Sequence, residues 1–219
     1  MLWDVINGGF DRFELLIFLA SYILLVSVML PVHELAHAFA ATKLGDDTPR
    51  WHGRLTLNPF AHLDLWGTMM LVLFGFGYAK PVPINPRNFR NPRRDMALVA
   101  LAGPLSNLLM ALAVLLLFRV LSFIPGISGT VILIASLLAY IVVPINIGLA
   151  VFNLLPIPPL DGSRIFSAFL PPRFAFWMSQ NEQQIRLILI VLLATGALSK
   201  PLDFLSDKVF QILLKVCGF

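Results

Sequence analysis

Long uncharged apolar stretches separated by short polar segments make up most of this chain. The first covers about residues 13–44, and within it residues 15–30 carry no charge. Others cover about 63–79, 95–120, 130–153 and 184–199. A helix needs about 20 apolar residues to cross a bilayer, so these runs predict an all-α membrane protein of about four to six spans. Beyond them the pattern changes. Asp203, Asp207, Lys208 and Lys215 alternate with Phe204, Leu205, Val209, Phe210, Ile212 and Leu213. Such an amphipathic stretch is expected on the membrane surface rather than across it.

Composition agrees with the pattern. Of 219 residues, 58% are hydrophobic and 13% charged, about half the charged share of a soluble domain. No soluble insertion is large enough for a second domain, so one integrated membrane domain, 1–219, is expected. The net charge of +4 reads as topology rather than nucleic-acid binding, because the basic residues gather in particular loops. Cys217 is the only cysteine, so any metal site must be built from His, Asp and Glu. The first residues hold Asp4, Asp11 and Glu14 against a single base, Arg12. A cationic leader is not what they resemble, and the first span is expected to be retained.

The run 63–79 is short and contains Gly67, Gly75 and Gly77. If it crossed, the basic loops on its two sides would face opposite compartments. One holds Arg50 and Arg54, the other Lys80, Arg87, Arg90, Arg93 and Arg94. The tendency of basic loops to stay inside resists that split. A re-entrant segment, dipping in and returning, puts both loops in the cytoplasm. Irregular backbone at depth then requires burial in protein or contact with water.

Three ionisable residues interrupt the first run as His33-Glu34-Leu35-Ala36-His37. Ionisable groups within a membrane helix mark function unless something pairs them. His33 and His37 stand at i and i+4, on one helix face, where both imidazoles reach one metal. Glu34 can hold a water at that metal without being a ligand. Pro31 should open the helix ladder just before His33. A catalytic zinc commonly takes three protein ligands, and few carboxylates lie near membrane depth. Asp161 ends the segment Asn153-Leu154-Leu155-Pro156-Ile157-Pro158-Pro159-Leu160-Asp161-Gly162. The prolines end the preceding helix and Gly162 permits a tight turn after the acid. With 63–79 re-entrant, His33, His37 and Asp161 fall at the same depth.

These motifs, with Ala102-Gly103-Pro104-Leu105-Ser106-Asn107 between them, resemble the site-2 proteases, intramembrane zinc metalloproteases. The ordered trio covers roughly 15–165, leaving C-terminal helices at 184–219. Gly77 through Pro83 looks like a compact prokaryotic branch, without the PDZ or CBS domain of some members. The resemblance implies an endopeptidase hydrolysing peptide bonds in or near transmembrane segments of membrane proteins. It implies one Zn2+ per chain on His33, His37 and Asp161, with Glu34 activating water. It also implies a multi-pass protein of a prokaryotic plasma membrane, with the site toward the cytoplasm.

Asn153 and Asn107 are candidate hydrogen-bond donors to substrate or oxyanion, against a plain role as polar glue between helices. A substrate helix must unwind to expose its carbonyls, and an edge can take up the freed strand. Short extended or β loops near the active site, Arg54-Leu55-Thr56-Leu57 or Val82-Pro83-Ile84, could supply it. His52, His62 and Asp64 are a possible second metal cluster or partners that orient a ligand histidine. Residues 87–94, with four arginines, suit anionic lipid headgroups, and Arg119 should snorkel. Two other classes fit less well. A metal transporter needs ionisable groups through the full depth, and a non-catalytic scaffold for membrane helices has no need of Glu34.

Overall fold

The computed structural model describes residues 12–74, 77 and 79–219. The acidic segment 1–11, on which the reading of a retained first span partly rests, and Gly75 lie outside the described residues. The first rod comprises α1 (Arg12–Leu24), a π-helical turn (Leu25–Met29) and α2 (Leu30–Lys43). Pro31 has no N–H to give the turn before it. The wide π turn directly precedes it, as expected of a proline that opens the ladder. After α2 come a short α3 (Thr48–Trp51) and α4 (Leu65–Phe74). The bundle continues with α5 (Pro92–Ser122), α6 (Gly129–Asn153), α7 (Asp161–Ser167), α8 (Pro172–Gln180), α9 (Glu182–Ala194) and α10 (Ser199–Cys217).

Three helical stretches among the described residues are long and apolar enough to cross a membrane: Phe13–Lys43, Pro92–Ser122 and Gly129–Asn153. A fourth crossing exists only if α9 and α10, bent by 84° at the break between them, count as one span. This is fewer than the sequence pattern suggested. The reason lies in the 184–199 run, whose helix stops at Ala194 before Gly196 turns the chain with φ +69°.

The two ends of the run 63–79 lie together. Its one described helix, α4, has ten residues, about 15 Å of rise against a hydrocarbon core of about 30 Å. The Lys80 N–H donates to the His62 carbonyl at 2.8 Å, so both ends of the run meet on one side.

The C-terminal amphipathic helix docks on the bundle along one stripe. Leu202, Val209, Phe210, Leu213, Leu214 and Cys217 pack against Ala111, Leu115, Val143, Ile147 and Val151 of α5 and α6. The bundle covers this stripe of the helix, while Phe204, Leu205 and Ile212 stay exposed. The Arg119 guanidinium lies over the rings of Phe123 and Phe219, at 4.3 and 4.8 Å, where cation–π attraction compensates it.

Candidate metal centre

Each helix that reaches the site has a local reason to begin or end there. Asn91 caps α5 by accepting from the Arg94 N–H, Pro92 needs no partner in the first turn, and Asp95 accepts from the Asn91 N–H at 3.0 Å. That reciprocal cap starts the helix at Pro92, two turns before Val99. α6 ends at Asn153, ahead of the proline segment. Residues 154–160 turn back, and α7 opens with Asp161. Gly162 makes the turn possible, since a Cβ there would overlap the Leu154 and Leu155 carbonyls.

α2 and α5 meet through small residues. Ala38, Ala41 and Ala100 are fully buried between the helices or nearly so. In lipid, where apolar burial alone drives little association, such residues let backbones approach closely. At Gly103 the approach leaves no room for a side chain. A Cβ built there would collide with His37 Nε2 and Cε1 and with His33 Cε1. The two rings therefore occupy the space glycine leaves.

His33, His37 and Asp161 come together as the spacing and topology predicted. His33 Nε2 lies 3.1 Å from His37 Nε2. Asp161 Oδ2 lies 3.3 Å from the first nitrogen and 3.2 Å from the second. His37 Nδ1 is 2.8 Å from the Val99 carbonyl, so with its proton there its Nε2 lone pair faces the cluster. The three donors could hold one metal ion, and they are the only such group among the described residues. Zinc fits them. Tetrahedral ligands at about 2.0–2.1 Å from the metal stand roughly 3.3 Å apart, close to the observed triangle. Burial raises the Asp161 carboxyl, but the hydrogen bonds and charge of both histidines outweigh it and hold it well below the ordinary carboxylate range.

Glu34 is half-buried beside the first ligand. Its charge reaches Arg54, whose guanidinium burial pushes down and Glu34 pulls back up. Arg54 is a residue that sequence reasoning undervalued. It is 5% exposed and donates to three carbonyls: Ala61 at 2.6 Å, Lys80 at 3.1 Å and Pro81 at 3.2 Å. Asp46, fully buried, accepts from the Thr48 N–H and hydroxyl, the Asn85 N–H and the Asn88 amide. Together the two residues fasten segment 80–88 beside the α2 terminus. No local pattern marks either one as buried.

Other expectations are corrected. Segments 54–57 and 82–84 form no β-strand among the described residues. Prolines at 81, 83 and 86 remove ladder donors there, and Arg54 and Asp46 take the backbone groups nearby. His62 does not reach a ligand histidine: its Nε2 is 2.8 Å from the Thr56 carbonyl of its own loop. His52 bonds to the Thr48 carbonyl and Asp64 caps α4 through the Gly67 N–H, so these three make no second metal cluster. Arg93, exposed, donates to the Ser167 and Leu170 carbonyls at the end of α7. Asn153 donates its amide to the Leu149 carbonyl at 2.9 Å, and Asn107 is fully buried.

Comparison with known proteins agrees with the site. The profile of peptidase family M50 matches residues 21–132 and 126–196. The chain is 43% identical over 170 residues to "Putative zinc metalloprotease YwhC" of Bacillus subtilis, covering 77% of each. It is 32% identical over 163 residues to "Putative zinc metalloprotease MJ0611" of Methanocaldococcus jannaschii, covering 72% of this chain and 74% of that one. It is 31% identical over 204 residues to "Putative zinc metalloprotease Rip2" of Mycolicibacterium smegmatis, covering 87% and 74%. No solved structure matches. The chain is an integral membrane protein that belongs to peptidase family M50, the site-2 protease family.

Proposed function

We propose that this protein is a zinc-dependent endopeptidase that cuts membrane proteins in or near their transmembrane segments, with 1–219 acting as one peptidase domain. The observation that supports this most is the buried triangle of donors, 3.1–3.3 Å on a side, with Glu34 next to it. His33, His37 and Asp161 hold the zinc. When bound, the metal makes water ionisable near neutral pH and polarises the scissile carbonyl.

The chain's own groups do the rest. The Glu34 carboxylate takes a proton from the attacking water as its oxygen adds to the carbonyl carbon. It returns the proton to the amide nitrogen as the C–N bond breaks. The Val99 carbonyl keeps His37 in one tautomer throughout. Asn153 stands at the end of α6, where releasing Leu149 would free its amide for substrate or oxyanion. Asn107 is too deeply enclosed for that contact. The basic loops 45–62 and 80–94 flank the site, which orients it toward the cytoplasm of a prokaryotic plasma membrane.

The test is cleavage of a panel of single-span membrane helices by the purified protein in detergent. Glu34→Gln and a chelated sample run beside it. Cutting only by the metal-loaded wild type supports the proposal. Zinc binding by both proteins with no cutting by either, in detergent or in liposomes, would favour a helix-binding scaffold.

A further inference from the structure

His37 has its second nitrogen anchored, whereas His33 does not. Among the described residues, His33 Nδ1 is buried with no hydrogen-bond partner. Once Nε2 faces a metal, Nδ1 must carry the proton, and a buried N–H without an acceptor is destabilising. Metal-ligating histidines generally give that proton to a fixed acceptor.

Asn107 presents the complementary need. It is fully buried within α5, and neither Oδ1 nor Nδ2 has a partner among the described residues. Its position matters more than its burial. Asn107 lies four residues after Gly103, on the same face of α5. Gly103 is the residue packed against His33 Cε1, the ring atom bonded to Nδ1. Side chains on a helix lean toward its N-terminus, so Asn107 leans back toward Gly103 and the His33 ring.

We infer that Asn107 is a positioning residue for the metal site: its Oδ1 accepts the Nδ1 proton of His33 through one buried water, fixing the ring as Val99 fixes His37. Buried water is found where buried polar groups would otherwise go unpaired. The inference rests on the metal site proposed above. It differs from a substrate-binding role for Asn107, which full burial opposes.

Zinc affinity decides it, measured by competition with a chromogenic chelator on the purified full-length protein in detergent. Asn107→Leu keeps the shape and removes the acceptor. It should weaken zinc binding about 10–100-fold without lowering the melting temperature of the metal-free protein. Asn107→Asp keeps an acceptor and should bind within a few-fold of wild type. Asn107→Ala reads the same loss if the leucine variant does not fold. Wild-type zinc affinity in both Asn107→Leu and Asn107→Ala would overturn the inference; a raised KM alongside would make Asn107 a substrate contact instead. A wild type that binds no zinc, or a His33→Ala variant that binds it equally well, would instead overturn the metal site itself.

Discussion

The His37 imidazole is tied to the Val99 carbonyl at 2.8 Å, which joins the site helix α2 to α5 at one atom pair. The bond aims Nε2 at the cluster, and it makes the first turns of α5 part of the metal site. Substituting any of the three ligands should therefore show as lost zinc rather than as a lost fold. Two donors remain in each of His33→Ala, His37→Ala and Asp161→Ala, so affinity should fall by at least about 100-fold, read by chelator competition and metal analysis. Zinc retained at wild-type strength by Asp161→Ala would remove that residue from the set.

Gly103 is predicted to be intolerant of any side chain. In an ordinary helix, Gly→Ala gains up to about 1 kcal/mol. Gly148 in α6, with nothing within 4 Å of an added Cβ, should show that gain or a neutral effect. Gly103→Ala places the methyl group against both imidazoles, where overpacking costs about 1–3 kcal/mol. Thermal melting with and without zinc separates the two. The Gly103 variant should lose most of the zinc-dependent rise in melting temperature, and the Gly148 variant should keep it.

Arg54 should be irreplaceable by lysine. Its planar fork serves carbonyls on two segments at once, and a lysine ammonium cannot reproduce that geometry. Arg54→Lys and Arg54→Met should both cut peptidase activity about tenfold or more, and hydrogen exchange should quicken across residues 80–88. Protection unchanged in either variant would show that Asp46 holds the segment alone.

Asp46 predicts an acid limb of stability. Burial raises its carboxyl, but hydrogen bonds from Thr48, Asn85 and Asn88 outweigh that and depress it below the usual range. A group depressed in the folded state stabilises fully above its unfolded pKa of about 4. That contribution is lost as pH falls through the lower folded value. Asp46→Asn should melt lower at neutral pH, by about 1–3 kcal/mol for disturbed buried hydrogen bonds, and should flatten the decline below pH ~4. Melting curves from pH 3 to 7 check both signs.

By itself the sequence determined the all-helical membrane class, the meeting of His33, His37 and Asp161, and the joined ends of the 63–79 run, because each is written locally. Helical spacing puts His33 and His37 on one face, charge asymmetry keeps two basic loops together, and prolines stop α6 before Asp161. The tertiary structure alone decided the span count, the docking of α10 and the parts played by Gly103, Arg54, Asp46 and Asn107. These depend on which surfaces meet. An amphipathic helix has the same pattern whether lipid headgroups or a bundle cover its apolar face. A buried arginine looks like a surface one until three distant carbonyls converge on it. A glycine shows its function only when two rings from another helix fill the space its missing side chain leaves.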